Sequence, residues 1–304
     1  MNKLELLKTF VRVSELSSFT QAADSLGLPR STVSDQVQAL EELLGTRLLQ
    51  RTTRKVQATQ DGLLLYERSR ELLAQMDELE GLFRQDASAL SGRIRVDMPT
   101  VLARKVVLPR LGEFSDRHPG VELEVSSTDR RVDLVREGFD LVLRVGPVLD
   151  ASLVARPLGA FPMVNCASRA YLAAHGVPRD LDDLSRHRLV HYVSVLGSRP
   201  PGFEYLVDGK LQQRPMAGNL TVNNAEAYSA ACLGGLGLIQ VPLHGVREYL
   251  ESGELVALLP AYPPPPLEAT LLYAHRRLPR RVRLFMDWLE QLVHEQSAPW
   301  FQAE

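Results

Sequence analysis

Residues 19–40 read FTQAADSLGLPRSTVSDQVQAL, and few folds accept residues in that order. Two helices that cross close to a tight turn need small side chains at the contact, and Ala22 and Ala23 supply them. Gly27 follows four residues after Ala23, where a turn takes positive φ without a Cβ clash. Beyond it, Val33, Val37, Leu40 and Leu44 step by four, three and four residues. That spacing predicts a helix from Arg30 to about Leu44 with one buried stripe, ended by Gly45. Its other faces carry Arg30, Ser31, Thr32, Ser34, Asp35, Gln36 and Gln38, and Thr20 opens the helix before it. A helix that only faces water more often carries Lys and Glu. Hydroxyls, amides and one arginine near a helix start suit base edges and phosphates in a major groove.

The flanking segments fit a small helical unit. Residues 2–15 place Leu4, Leu7, Phe10, Val11 and Val13 inward at helical spacing, with Glu5, Lys8, Arg12 and Glu15 between them. After Gly45, TRLLQRTTRKVQATQDG reads as a turn between two short strands. Arg47, Arg51, Arg54 and Lys55 make residues 47–55 basic, with Thr53 in the turn and no acid, although the whole chain carries a net charge of −2. Alone, such a run is equally a solvated turn. Beside the polar helix it suits sugar-phosphate contacts, which add affinity and register more than specificity. From Thr59, a plausible N-cap with Asp61 in the first turn, a long helix begins. Leu65, Leu72 and Leu79 repeat every seven residues, with Met76 and Phe83 in the alternate row. A seam of about three heptads suffices for a helix pair, and hence for a dimer.

Ser91-Gly92 interrupts this helix, and the texture becomes α/β. GRIRVDMP, VELEVSSTD, FDLVLRVG, FPMVNCAS, RLVHYVS, NLTVNN, LGLIQVP, LVALLP and EATLLYAHRR read as strands. VVLPRLGEFSDRH, VDLVREG, AEAYSAACLGG and RRVRLFMDWLEQLVHE between them read as helices, an alternation that argues a parallel or mixed sheet flanked by helices. The 304 residues exceed one compact core, so more than one domain is expected. YPPPP at 262–266 reads as a stiff connector suited to crossing between lobes.

Other classes find little support. Cys166 and Cys232 match no metal spacing and no disulfide framework, which suits a reducing cytoplasm; they read as buried small hydrophobes or as a redox pair. The start is an amphipathic helix and not a secretory signal, and no run of about 18 apolar residues occurs. GGLGLIQ at 234–240 lacks the order of a dinucleotide loop, and no metalloprotease, nucleophile-elbow or phosphate-loop motif is present. An enzyme is therefore not expected, and neither is a cofactor.

SFTQAADSLGL, STVSDQVQALEELLGTRLLQRTTR and the Ala58-Thr59 pair with Gly62 resemble the N-terminal domain of the LysR-type transcriptional regulators. GRIRV, GFDLVLRVG, DLSRHRLV, GLGLIQVP and RRVRLFMDWL are similar to that family's effector-domain landmarks, so the resemblance spans the chain. Family members often carry serine where Pro29 stands and an aromatic residue where Leu49 stands. The resemblance implies a winged helix-turn-helix over 1–58, a linker helix over 59–90, and an effector domain over 91–304. That domain would have two Rossmann-like lobes like those of periplasmic solute-binding proteins, lobe I at about 91–161 and 267–304 and lobe II at about 162–266. The implied partners are a dyad-symmetric operator in double-stranded DNA, a small-molecule effector between the lobes, and a second copy of the chain, with dimers commonly joining into tetramers.

Ligands of open α/β sheets bind beyond the carboxyl ends of strands. There stand Thr100, with the N–H groups of Val101 and Leu102, as a site suited to a carboxylate or other small anion. Thr128, Arg144, Ser194, Ser198, Phe203 and Asn223 follow at other strand ends. The α/β part alone would equally fit a cytoplasmic solute-binding protein without a DNA role.

Overall fold

Caps and glycines set the limits of the three opening helices, Lys3–Leu16, Phe19–Leu26 and Arg30–Leu44. They are seen in a computed structural model that describes residues 2–51, 56–81, 90–148, 151–274 and 278–296. The side chains of Asn2 and Ser18 accept the N–H groups of Leu4 and Gln21, donors that a helix start leaves open. Gly27 and Gly45 end the second and third helices in the left-handed region, at φ 63° and 67°. Pro29 precedes the third helix as its cap residue, not as its first helical residue, and contributes no side-chain acceptor.

Phe10, Val13, Ala22, Ala23, Val33, Val37, Leu40 and Leu48 close one core over these helices. Each large apolar side chain buried there stabilises the fold by about 1.5–3 kcal/mol. Leu44, expected in the buried stripe, is 46% exposed, because the helix overruns the core by a turn before Gly45 stops it. The strands Leu49–Arg51 and Val56–Ala58 pair antiparallel. The Glu41 carboxylate accepts the N–H groups of Leu48 and Leu49 at 2.8 and 3.0 Å, which fastens this hairpin to the third helix. Thr59 caps the next helix by accepting the Gly62 N–H at 3.0 Å.

The long helix Gln60–Gly81 then leaves the small domain. Leu72, Met76 and Leu79 are 46%, 37% and 56% exposed along it. Leu65 stands in line with them but is half-buried, because the first turns of the helix pack on the N-terminal core. Phe83 lies outside the described residues.

A five-stranded mixed sheet forms the first lobe, in the order Gly120–Ser127, Ser91–Met98, Leu141–Val145, Leu267–Tyr273, Val154–Phe161. The first three strands run parallel, and Leu267–Tyr273 is antiparallel to both its neighbours. Val282, Phe285, Leu289 and Leu292 of the helix Arg280–Gln296 cover this sheet. The other lobe is built on a three-stranded antiparallel sheet, Ile239–Pro242, Met163–Ser168 and Leu255–Leu258. A short parallel pair, His191–Tyr192 with Thr221–Val222, and the hairpin Phe203–Val207 with Lys210–Arg214 complete it. YPPPP runs from the strand Leu255–Leu258 to the strand Leu267–Tyr273, and so crosses between the sheets. VDLVREG forms turns and no helix; Leu134 and Phe139 pack on Val142 and Leu272, and Gly138 at φ 70° would interrupt a helix.

Candidate nucleic-acid interface and inter-lobe cleft

On the third helix the residues farthest from the core, Ser31, Asp35 and Gln38, are exposed, as are Arg30 and Thr20 nearby. Thr32 and Ser34 are half-buried on the flanks. Gln36 departs from the expected set. Its Oε1 accepts the hydroxyl of the buried Thr9, which ties it to the first helix instead of presenting it outward. Gln38 donates to Glu42 at 2.9 Å along the exposed face. In the hairpin, the side chain of Arg51 and residues Thr53, Arg54 and Lys55 lie outside what is described.

Where the small domain and the linker helix meet the first lobe, charges interlock. Arg93 bonds Glu15, Arg70 bonds Asp140, and Arg12 reaches Glu124 at 3.7 Å, while Arg95 holds Glu124 within the lobe at 2.8 Å. Burial pushes the Glu15 carboxyl up to about 7, against the pull of Arg70, Arg95 and Arg12. A cavity of about 250 Å³ opens at this junction, lined by Glu15, Tyr66, Arg70, Arg93 and Asp140 among others. It lies away from the cleft between the lobes. These contacts join the first lobe to the first helix and to the linker helix.

In the cleft the expected residues divide. Thr128 and Arg144 converge, but on a shared acid of the protein: Asp97, fully buried, accepts from Arg144 at 2.8 Å, from Ser126 at 2.6 Å and from Thr128 at 3.3 Å. A buried carboxylate must be matched in this way. Thr100 donates its backbone N–H to Asp129 at 3.0 Å. The side chains of Val101 and Leu102 are buried. Ser194, Ser198 and Asn223 are exposed. Phe203, expected at the cleft, is instead fully buried in the core of the second lobe with Tyr171 and Leu238, because it starts a strand and does not end the loop before it.

The sequence reading missed Asp129 itself. Its other carboxylate oxygen accepts the N–H of Ala225, in the opposite lobe, at 2.6 Å. Arg104 with Glu226 at 2.7 Å, and Lys105 with the Gly245 carbonyl at 2.8 Å, add further ties between the lobes. An aspartate after a strand reads as a turn former, and no local signal announces a partner 96 residues away. Cys166 and Cys232 are buried; contact with Cys232, then burial, pushes the Cys166 thiol up, away from thiolate chemistry. Among the described residues no His, Cys, Asp and Glu cluster could hold a metal, and no helix is long and apolar enough to cross a membrane.

Comparison with known proteins agrees along the whole chain. Residues 4–63 match the model of the bacterial regulatory helix-turn-helix protein, lysR family, and residues 87–293 match the LysR substrate binding domain. The chain is 48% identical over 296 residues to the HTH-type transcriptional regulator YhjC of Escherichia coli (strain K12), covering 97% of this chain and 99% of that one. It is 36% identical over 297 residues to an HTH-type transcriptional repressor of Pseudomonas aeruginosa (strain UCBPP-PA14), covering 97% and 93%. Among solved structures it resembles CrgA, a LysR-type regulator from Neisseria meningitidis, with a TM-score of 0.58, 28% identity and coverage of 97% and 99%. The full-length Vibrio cholerae virulence activator AphB gives 0.55, 29%, and coverage of 98% and 100%.

Proposed function

The chain belongs to the LysR family of transcriptional regulators, and on that premise we propose how its residues divide the task. It is a DNA-binding transcriptional regulator whose helix-turn-helix engages DNA, whose two-lobed domain takes a small-molecule effector, and whose protomers assemble into oligomers. Residues 1–58 read DNA, 59–90 dimerise, and 91–304 bind effector, with lobe I at 91–161 and 267–304 and lobe II at 162–266.

One observation carries the DNA assignment. The third helix turns exposed Arg30, Ser31, Asp35 and Gln38 away from a core of Val33, Val37 and Leu40. These residues, with Thr20, Thr32 and Ser34, contact base edges and the nearest phosphates. Arg51, Thr53, Arg54 and Lys55 contact the sugar-phosphate backbone. Leu72, Met76, Leu79 and Phe83 pair with the same residues of a second copy, which places one reading helix in each half of a dyad-symmetric site. The effector is a small carboxylate or similar anion, held by Thr100, Ser194, Ser198 and Asn223, with Thr128 and Arg144 shaping the floor of the cleft through Asp97. The protein is not an enzyme and acts in the cytoplasm. The match at residues 4–63 disfavours a solute-binding protein without a DNA role.

The two kinds of contact are separable. Arg54→Ala should weaken binding to every sequence and reduce the slope of log affinity against log salt by about one. Thr32→Ala should cost about 1–3 kcal/mol on the cognate site alone and relax discrimination there. Fluorescence anisotropy on cognate and scrambled duplexes, across a salt series, tests both. Equal losses on the two duplexes for Thr32→Ala would refute the reading face.

A further inference from the structure

Asp129 does more than cap a turn. It follows the strand Gly120–Ser127 of the first lobe, and its carboxylate spans the gap between the lobes. One oxygen accepts the N–H of Thr100, in its own lobe, at 3.0 Å. The other accepts the N–H of Ala225, across the cleft, at 2.6 Å. The charged side chains around it are engaged elsewhere. Arg130 holds Glu137 at 2.9 Å, Arg144 holds Asp97, and Arg104 holds Glu226. Among the described residues Asp129 makes no ion pair, so its charge rests on backbone donors from both lobes. Tyr192 of the second lobe stands close enough that the Asp129 charge, after burial, helps push its phenol up to about 12.

The donors at Thr100 and Ala225 are therefore set at the spacing of one carboxylate, and the protein's own carboxylate sits on them. An effector anion that approaches Thr100 meets an occupied site. We propose that Asp129 is a displaceable latch: it ties the lobes by occupying the two backbone donors, and an effector carboxylate binds by taking its place. This rests on the assignment of the cleft as the effector site. Two consequences follow. The resident aspartate competes with the effector and so sets the concentration at which the regulator responds. Because the released Asp129 no longer ties Ala225 to Thr100, the exchange loosens the cleft at that point while Lys105 and Arg104 still join the lobes, and conformational coupling needs such a differential contact. Molecules without a bidentate oxyanion would leave the latch in place.

Of the other ties between the lobes, Lys105, 12% exposed, holds the Gly245 carbonyl at 2.8 Å and Glu248 at 2.5 Å, and stays in place when Asp129 lets go. Arg104 and Glu226 are respectively 53% and 36% exposed, where salt screens them. The Asp129 bonds are partly buried and made to fixed backbone groups. A hydrogen bond to a charged group, in affinity terms, corresponds to about a ten- to hundredfold change.

Formate is the probe, because it is a bare carboxylate small enough for the space left by Asp129→Ala. Hydrogen exchange of the full-length protein is followed at the peptides that contain Thr100 and Ala225, at constant ionic strength in sodium formate or sodium chloride. In the wild type both amides should be protected, and formate should change nothing. In Asp129→Ala both should exchange about tenfold faster or more, and formate, not chloride, should restore protection with saturation. Asp129→Asn keeps the shape and one acceptor, should exchange at an intermediate rate, and supplies the comparison if the alanine variant is poorly folded. Two results would overturn the latch: variant amides as protected as the wild type, or formate that protects the wild type as strongly as the variant. Open amides that formate does not close would overturn the exchange, though not the tie. A thermal-shift screen of the wild type separates this from the underlying assignment. A hit that binds outside the cleft removes the effector assignment while leaving the formate result standing.

Discussion

Replacing Leu72 and Leu79 together by glutamate should abolish operator binding and leave the effector domain folded. Both side chains are about half exposed on the linker helix, in line with Met76, and neither contributes to the core of its own protomer. A self-complementary interface brings each substitution in twice. Four leucines leave the pair, each with about half its side chain left to bury and so contributing about 0.8–1.5 kcal/mol, and four like charges enter it. The lost burial alone totals about 3–6 kcal/mol, or about two to four decades in dissociation constant, and the buried like charges add to it. The recognition helices would then no longer be presented in pairs, and a monomer reads only half of a dyad-symmetric site. Sedimentation velocity and a gel shift on the same preparation check this, with circular dichroism to confirm that the lobes remain folded. A doubly substituted protein that still sediments as an oligomer and retards DNA normally would place the interface elsewhere.

Gly62→Ala should have the next largest effect, although Gly62 is not among the residues proposed to contact DNA or effector. A Cβ built there would lie 2.0 Å from the Leu48 carbonyl oxygen and 3.3 Å from the Ala58 Cβ. Both neighbours belong to the base of the hairpin, and Leu48 O also accepts the Thr59 N–H at 2.9 Å. Alanine must therefore push the hairpin off the start of the linker helix or open that bond. Overpacking of this kind costs about 3 kcal/mol. In a domain of this size the melting transition should fall by about 10 °C or more. DNA affinity should drop on all sequences, since the basic tip loses its position while the reading helix keeps its side chains. Differential scanning calorimetry of the full-length variant checks the first effect and anisotropy the second. An unchanged transition would mean that the hairpin yields without cost.

The helix-turn-helix was readable because its determinants are local. Ala22, Ala23, Gly27, Gly45 and Thr59 each act on neighbours within a few residues, through close approach, positive φ or capping, and each does so in the structure. Spacing alone was less reliable. Leu44 and Leu65 have the right period, yet one overhangs the core and the other reaches into it, because a period does not say where a neighbouring element ends. VDLVREG has helical spacing that turns satisfy equally well once Leu134 and Phe139 find the sheet.

The cleft was hardest to read. Gln36 is claimed by Thr9 from 27 residues away, Arg144 by Asp97 from 47, and Asp129 reaches a donor 96 residues on. Strand-end logic brought Thr100, Thr128 and Arg144 to the same region. It could not say that the protein's own carboxylates, Asp97 and Asp129, already engage the groups an anion would use.

The most direct test of the whole account is a gel shift of the full-length protein on the intergenic DNA upstream of its own gene, followed by a hydroxyl-radical footprint of the retarded band. A dimer reading a dyad predicts retardation that survives excess unrelated DNA, and protection of two half-sites separated by about one helical turn or a multiple of it. No retarded band on that DNA, or a band that unrelated DNA removes equally well, would contradict it.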